Sequence, residues 1–169
     1  METSDSRVRP FVLLRVLVAD SDRLVNESLN ALLSEIEGLS VFGCTQEPSR
    51  VLMLIQTVHP DVVILALQIK GPFGMKLVRQ IKDLPDAPTV IVLSDYDEAQ
   101  LRRVAIAAGA EHCIVKTDIE RLQEVLGDLL RQGATSRGQP IAPPASEQGI
   151  QTAKCRRNAT PRRSGRKKS

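Results

Sequence analysis

Tryptophan is absent from this sequence of 169 residues, tyrosine occurs once, and aromatics make up only 2% of it. A core must therefore be built from Val, Leu, Ile and Ala, a composition that suits a buried parallel sheet covered by helices. Cysteine is also scarce. Cys44, Cys113 and Cys155 have no metal-binding spacing, and their odd number rules out a closed disulfide framework. No apolar run approaches a membrane span, the longest being of the order of Val62 to Leu67. Residues 1–10 carry charge but no apolar stretch of the kind a secretion signal needs. The expectation is a cytosolic protein with reduced thiols and no membrane contact.

Acid and base are unevenly shared. Residues 1–131 hold 14 Lys and Arg against 19 Asp and Glu, a net of −5. Residues 132–169 hold nine basic residues against Glu147 alone, a net of +8. An acidic domain is thus followed by a basic segment, and the two call for separate arguments.

Within the acidic part, apolar runs alternate with helical stripes. Strands are expected at Leu13 to Ala19, Val41 to Thr45, Val62 to Ala66, Thr89 to Leu93 and His112 to Val115. A helix stripe runs through Val25, Leu29, Leu32, Leu33 and Ile36, and another through Val51, Leu52, Ile55 and Val58 behind Pro48. His59-Pro60 stops the second helix. A third stripe, Leu77, Val78, Ile81 and Leu84, closes at Pro85. Asp95 with Glu98 reads as a capping box for a fourth helix ended by Gly109, and Thr117 with Glu120 as one for a fifth helix through Leu129. Five β-α units with right-handed crossovers give an α/β fold, a doubly wound five-stranded parallel sheet. The expected division is residues 1–12 as a flexible lead, 13–131 as the domain and 132–169 as a disordered basic tail. That tail has only Ile141 and Ile150 as large aliphatics, too little to offset its ordering cost.

In open parallel sheets, chemistry sits beyond the carboxyl ends of the strands. Those ends hold Ala19-Asp20-Ser21-Asp22, Ala66-Leu67-Gln68, Ser94 and Lys116. Together with His59-Pro60-Asp61-Val62-Val63, Val92-Leu93-Ser94 and Ala108-Gly109-Ala110, this set resembles a response-regulator receiver domain, of flavodoxin-like (CheY-like) fold, over roughly Leu13 to Leu130. The resemblance implies an acidic pair holding magnesium, an aspartate accepting a phosphoryl group, a hydroxyl and a lysine. Asp20 matches the second acid, Ser94 the hydroxyl and Lys116 the lysine. Ala66 stands at the acceptor position and Ala19 at the first acid, while Asp61 lies at the far end of the strand, about 16 Å away. Ile69-Lys70 replaces the usual Met-Pro, Cys113 the switch aromatic, and Thr117 the proline after the lysine.

These departures imply a degenerate receiver with no catalysis, no cofactor and no magnesium, Asp20 being the one residual metal-ligand candidate. Without phosphate, Lys116 is expected to pair with Asp20 as a partly exposed ion pair worth about 0–1 kcal/mol. Ser94 is expected to cap a helix or bond the backbone, and Cys113, His59 and His112 to be structural. Gly71, Pro72 and Gly74 lack the Lys-Ser/Thr ending of a phosphate-binding loop. The family's habit suggests a protein-binding surface including Asp97, Gln100, Arg103, Arg121 and Glu124. The partner would be another signalling protein or a second copy of the chain, met without phosphorylation. One alternative is nonspecific nucleic-acid contact through Lys154, Arg156, Arg157, Arg162, Arg163, Arg166, Lys167 and Lys168, with no aromatic among them to stack on bases. Another is an inactive remnant of a longer regulator.

Overall fold

Runs of Val, Ile and Leu too short to be helices, each followed by a stripe of helical period, fold as their pattern requires. The computed structural model describes residues 13–45, 47–68 and 73–136. In chain order the elements are β1 (Leu14–Ala19), α1 (Arg23–Ser34), β2 (Leu39–Thr45), α2 (Pro48–Val58) and β3 (Val62–Ala66). Then follow α3 (Phe73–Lys82), β4 (Thr89–Ser94), α4 (Ala99–Ala107), β5 (His112–Val115) and α5 (Ile119–Ser136). The five strands pair in parallel in the order β2-β1-β3-β4-β5, which is the expected doubly wound sheet.

Strand side chains alternate between faces, so the sheet has two cores. On one face Val16, Val18, Val62, Ile64 and Leu93 pack against Leu29 and Leu33 of α1 and Leu122 and Leu126 of α5. On the other, Leu17, Ala19, Val63, Leu65 and Val92 pack against α2, α3 and α4. In β2, Val41 pairs with Val16 and Gly43 with Leu17, which leaves Phe42 as an extra, bulged residue. The Arg15 guanidinium lies 4.5 Å from its ring centroid.

Helix ends differ from the sequence expectation where two groups compete for one role. Glu98, not Asp95, is the N-cap of α4, and its side chain makes no capping bond. Asp118 rather than Thr117 bonds the first turn of α5, accepting from the Arg121 N–H at 3.1 Å. Its carboxylate is the better acceptor toward orphan amide donors. Helix α5 runs to Ser136, five residues past the boundary expected at Arg131. Gln132 and Ala134 favour helix, and one glycine, Gly133, costs only about 1 kcal/mol. Gly109 does end α4 as anticipated, with φ 110. His59 closes α2 in the left-handed conformation (φ 48), its N–H bonded to Ile55 O at 2.9 Å.

Two helical glycines behave oppositely. A Cβ on Gly74, at the start of α3, would sit 2.3 Å from the Leu67 carbonyl oxygen. Gly74→Ala is therefore expected to destabilise by about 1–3 kcal/mol through overpacking. A Cβ on Gly127 meets only the Arg131 guanidinium, at 3.7 Å or more. Gly127→Ala should stabilise by about 0.5–1 kcal/mol. Urea unfolding midpoints would show the two shifts in opposite directions, and a stable Gly74→Ala variant would mean the β3–α3 connection can retreat.

Candidate functional site at the carboxyl rim

The alternation that sorts Val16, Val18, Val62, Ile64 and Ile114 onto one face continues into the rim. It brings Asp20, Ala66 and Lys116 to that same side. Asp20 is 1% exposed. Its backbone N–H donates to Thr45 O at 3.2 Å, and its carbonyl accepts from Asn26 Nδ2 at 2.8 Å. Its Oδ1 accepts the Asp22 N–H at 2.9 Å. Asp22 in turn caps α1 by accepting from the N–H of Leu24 at 2.8 Å and of Val25 at 3.4 Å. The start of α1 thus fixes the Asp20 carboxylate from below.

Lys116 answers it from β5. Its backbone N–H donates to Ser94 O at 2.8 Å. Its Nζ lies 2.8 Å from Asp20 Oδ2 and 3.2 Å from Asp95 Oδ1. Burial works against the ammonium, but hydrogen bonding and attraction to Asp20, then to Asp95, outweigh it and raise the Lys116 pKa above the ordinary value. The side chains are 17% exposed for Lys116 and 2% for Asp20. The expected pair forms, but its carboxylate half is buried and not partly exposed. Asp20 ends a buried strand and sits under α1, which removes it from water. Asp95, read from sequence as a helix cap, is instead the second partner of the lysine.

Ser94 is buried and bonds the backbone, one of its two expected roles. Its Oγ donates to Tyr96 O at 2.9 Å and accepts from the Tyr96 N–H at 3.2 Å, closing the turn after β4. Ala66 is buried at the end of β3, paired with Leu93, and belongs to neither hydrophobic cluster. Ala19 is different. Its methyl is fully buried on the opposite face with Leu17, Val63 and Leu65. Its methyl thus serves the core at the position that the resemblance assigns to the first acid. The rim residue beside Asp20 is Ser21, which is exposed. Strand alternation was the signal that could have identified it.

Cys113 is half-buried, and burial pushes its thiol pKa up; Arg102 lowers it and Asp97 raises it. A thiol so placed is a poor nucleophile near neutral pH. Asp97, Gln100, Arg103, Arg121 and Glu124 are all exposed, with Asp97 paired to Arg102 at 2.7 Å and Arg121 to Glu124 at 3.0 Å. Asp61 is at the far end of β3, accepting from the Arg15 N–H at 2.9 Å. His112 begins β5 away from the rim, and His59 is exposed beyond α2. Ile69, Lys70, Gly71, Pro72 and the basic run Lys154 to Lys168 lie outside the described residues.

The family's magnesium does not fit the residues present. The one rim carboxylate on the Ala66 face is already engaged by an ammonium, and a hard divalent cation needs several oxygen ligands. Among the described residues no three of His, Cys, Asp and Glu are grouped to hold a metal. None of the described helices is long and apolar enough to cross a membrane.

Residues 16–127 match the family model described as the response regulator receiver domain. The chain is 32% identical over 143 residues to protein-glutamate methylesterase/protein-glutamine glutaminase 5 of Myxococcus xanthus, covering 79% of this chain and 41% of that protein. It is 32% identical over 126 residues to the response regulator MprA of a Mycobacterium species, covering 74% and 54%. The chain spans about half or less of these relatives. Among solved structures, the receiver domain of the response regulator NarL from Mycobacterium tuberculosis is 25% identical with a TM-score of 0.64, covering 74% of this chain and 98% of that one. The receiver of Thermotoga maritima CheB, at 19% identity and a TM-score of 0.62, shares the fold. With strand order, rim lysine, rim hydroxyl and family model in agreement, this chain belongs to the response-regulator receiver domain family.

Proposed function

We propose that this receiver acts in two-component-type signalling through protein contacts that do not depend on phosphoryl transfer. The observation that carries the proposal is Ala66, a methyl group at the end of β3 on the same sheet face as Asp20 and Lys116. A methyl has no lone pair with which to attack phosphorus. The rim carboxylates Asp20 and Asp95 are both engaged by Lys116. With no acceptor at the rim, the signal enters through which partner is present. The surface that fits such a partner is the outer side of α4 and α5, where Asp97, Gln100, Arg103, Arg121 and Glu124 are exposed.

Affinity capture with the full chain tests this directly. The partners recovered are expected to be the same, within about twofold in amount, with or without acetyl phosphate and Mg²⁺, since no conformational equilibrium is biased by the donor. Arg103→Glu with Arg121→Glu should lower capture. Partner binding that switches on or off with the phosphoryl donor overturns the proposal.

A further inference from the structure

Helix α4 covers little of itself. Ala105 is its one buried residue, while Val104 and Ile106 are exposed. Tyr96, in the turn leading to it, is 59% exposed although it is the only tyrosine of the chain. The backbone of the turn that carries it is held in place. Ser94 bonds both backbone groups of Tyr96, and Lys116 holds Asp95 beside it. The two rim segments, one holding Tyr96 and one leading into α5, carry Asp95, Asp97, Glu98, Asp118 and Glu120, all exposed. Of the cations on these segments, Lys116 and Arg102 are each bound to one of these acids, Arg121 is paired with Glu124 and Arg103 is exposed, so the acids still outnumber the cations. The result is an exposed aromatic ring beside α4 with an acidic border, left unpartnered among the described residues.

The chain itself carries the complement. Between Lys154 and Lys168 there are eight Lys and Arg and no acid. We propose that this segment docks in cis on the face formed by Tyr96 and α4, its arginines over the ring and its charges against Glu98 and Glu120. Arginine is the residue that combines both contacts, stacking on aromatic faces while pairing with carboxylates. Reach is no obstacle. Helix α5 spans about 27 Å from the rim to Ser136, and the 18 residues from there to Lys154 can extend to about 60 Å. Tethering also sets an effective concentration in the millimolar range, so a contact too weak between separate molecules is populated within one.

Because the chain has one tyrosine and no tryptophan, its intrinsic fluorescence reports Tyr96 alone. Acrylamide quenching of the full chain is expected to be reduced about twofold or more at 10 mM salt relative to 1 M, where the screening length falls from about 30 Å to about 3 Å. Changing the eight tail cations to Gln should abolish that protection, as should Glu98→Lys with Glu120→Lys, both being surface changes that leave the core untouched. Quenching that ignores salt and is unchanged by tail neutralisation overturns the proposal. Protection that grows with protein concentration also overturns it, since the docking would then be between copies.

Discussion

Lys116→Met is expected to cost about 3 kcal/mol in urea unfolding, the low end of the range for breaking a buried ion pair, because the lysine end still reaches solvent. The loss arises from what is left behind. Asp20 is 1% exposed, and its carboxylate would lose its cation while remaining out of water. Replacing both members, Asp20→Asn with Lys116→Met, should recover stability to within about 1 kcal/mol of the parent, since no buried charge then remains. The pH dependence has a definite sign. The folded-state pKa of Lys116 is raised, so its contribution is complete below the unfolded lysine value of about 10.4 and is lost as pH rises through the folded value. Lys116→Met should lack that alkaline component. A loss of 1 kcal/mol or less would mean that Asp20 finds water or another donor once the lysine is gone.

The second large effect concerns phosphoryl transfer. With acetyl phosphate and Mg²⁺ the natural chain should show no mass gain, whereas a receiver with an acceptor forms an acyl phosphate as its carboxylate oxygen attacks phosphorus and acetate leaves. Ala66→Asp alone should label poorly, because a single added carboxylate beside an engaged Asp20 does not make a metal site. Adding Ser21→Asp should raise the rate by on the order of tenfold or more, a metal at the phosphoryl oxygens being worth several kcal/mol. Intact-mass spectrometry with peptide mapping reads these outcomes. A phosphoryl group on the natural chain, at Asp95 or elsewhere in the domain, would refute the proposed function.

Most of this architecture could be read from residues alone. Val62 to Ala66 is a strand with the expected limits because nothing but a central parallel strand suits five consecutive buried apolar residues. Gly109 terminates α4 because its φ of 110 is open chiefly to glycine. What escaped the sequence were contests decided in three dimensions. Asp95 is chemically fit to cap a helix, but Lys116, brought 3.2 Å away by β5, claims it. Ala19 and Asp20 are neighbours in the chain yet their side chains go to opposite faces, so only Asp20 meets Lys116. The end of α5 also escaped, because a single glycine weakens a helix without marking where it stops.

The bulge at Phe42 limits how copies of this domain can join. β2 is an outer strand of the sheet, and an incoming strand would have to match its hydrogen-bond spacing on both sides of the extra residue. It can match on one side only. The other outer strand, β5, is four residues long and gives a visitor little to align with. Growth of the sheet from chain to chain is thereby discouraged at both margins, and any self-association is directed to the helical faces.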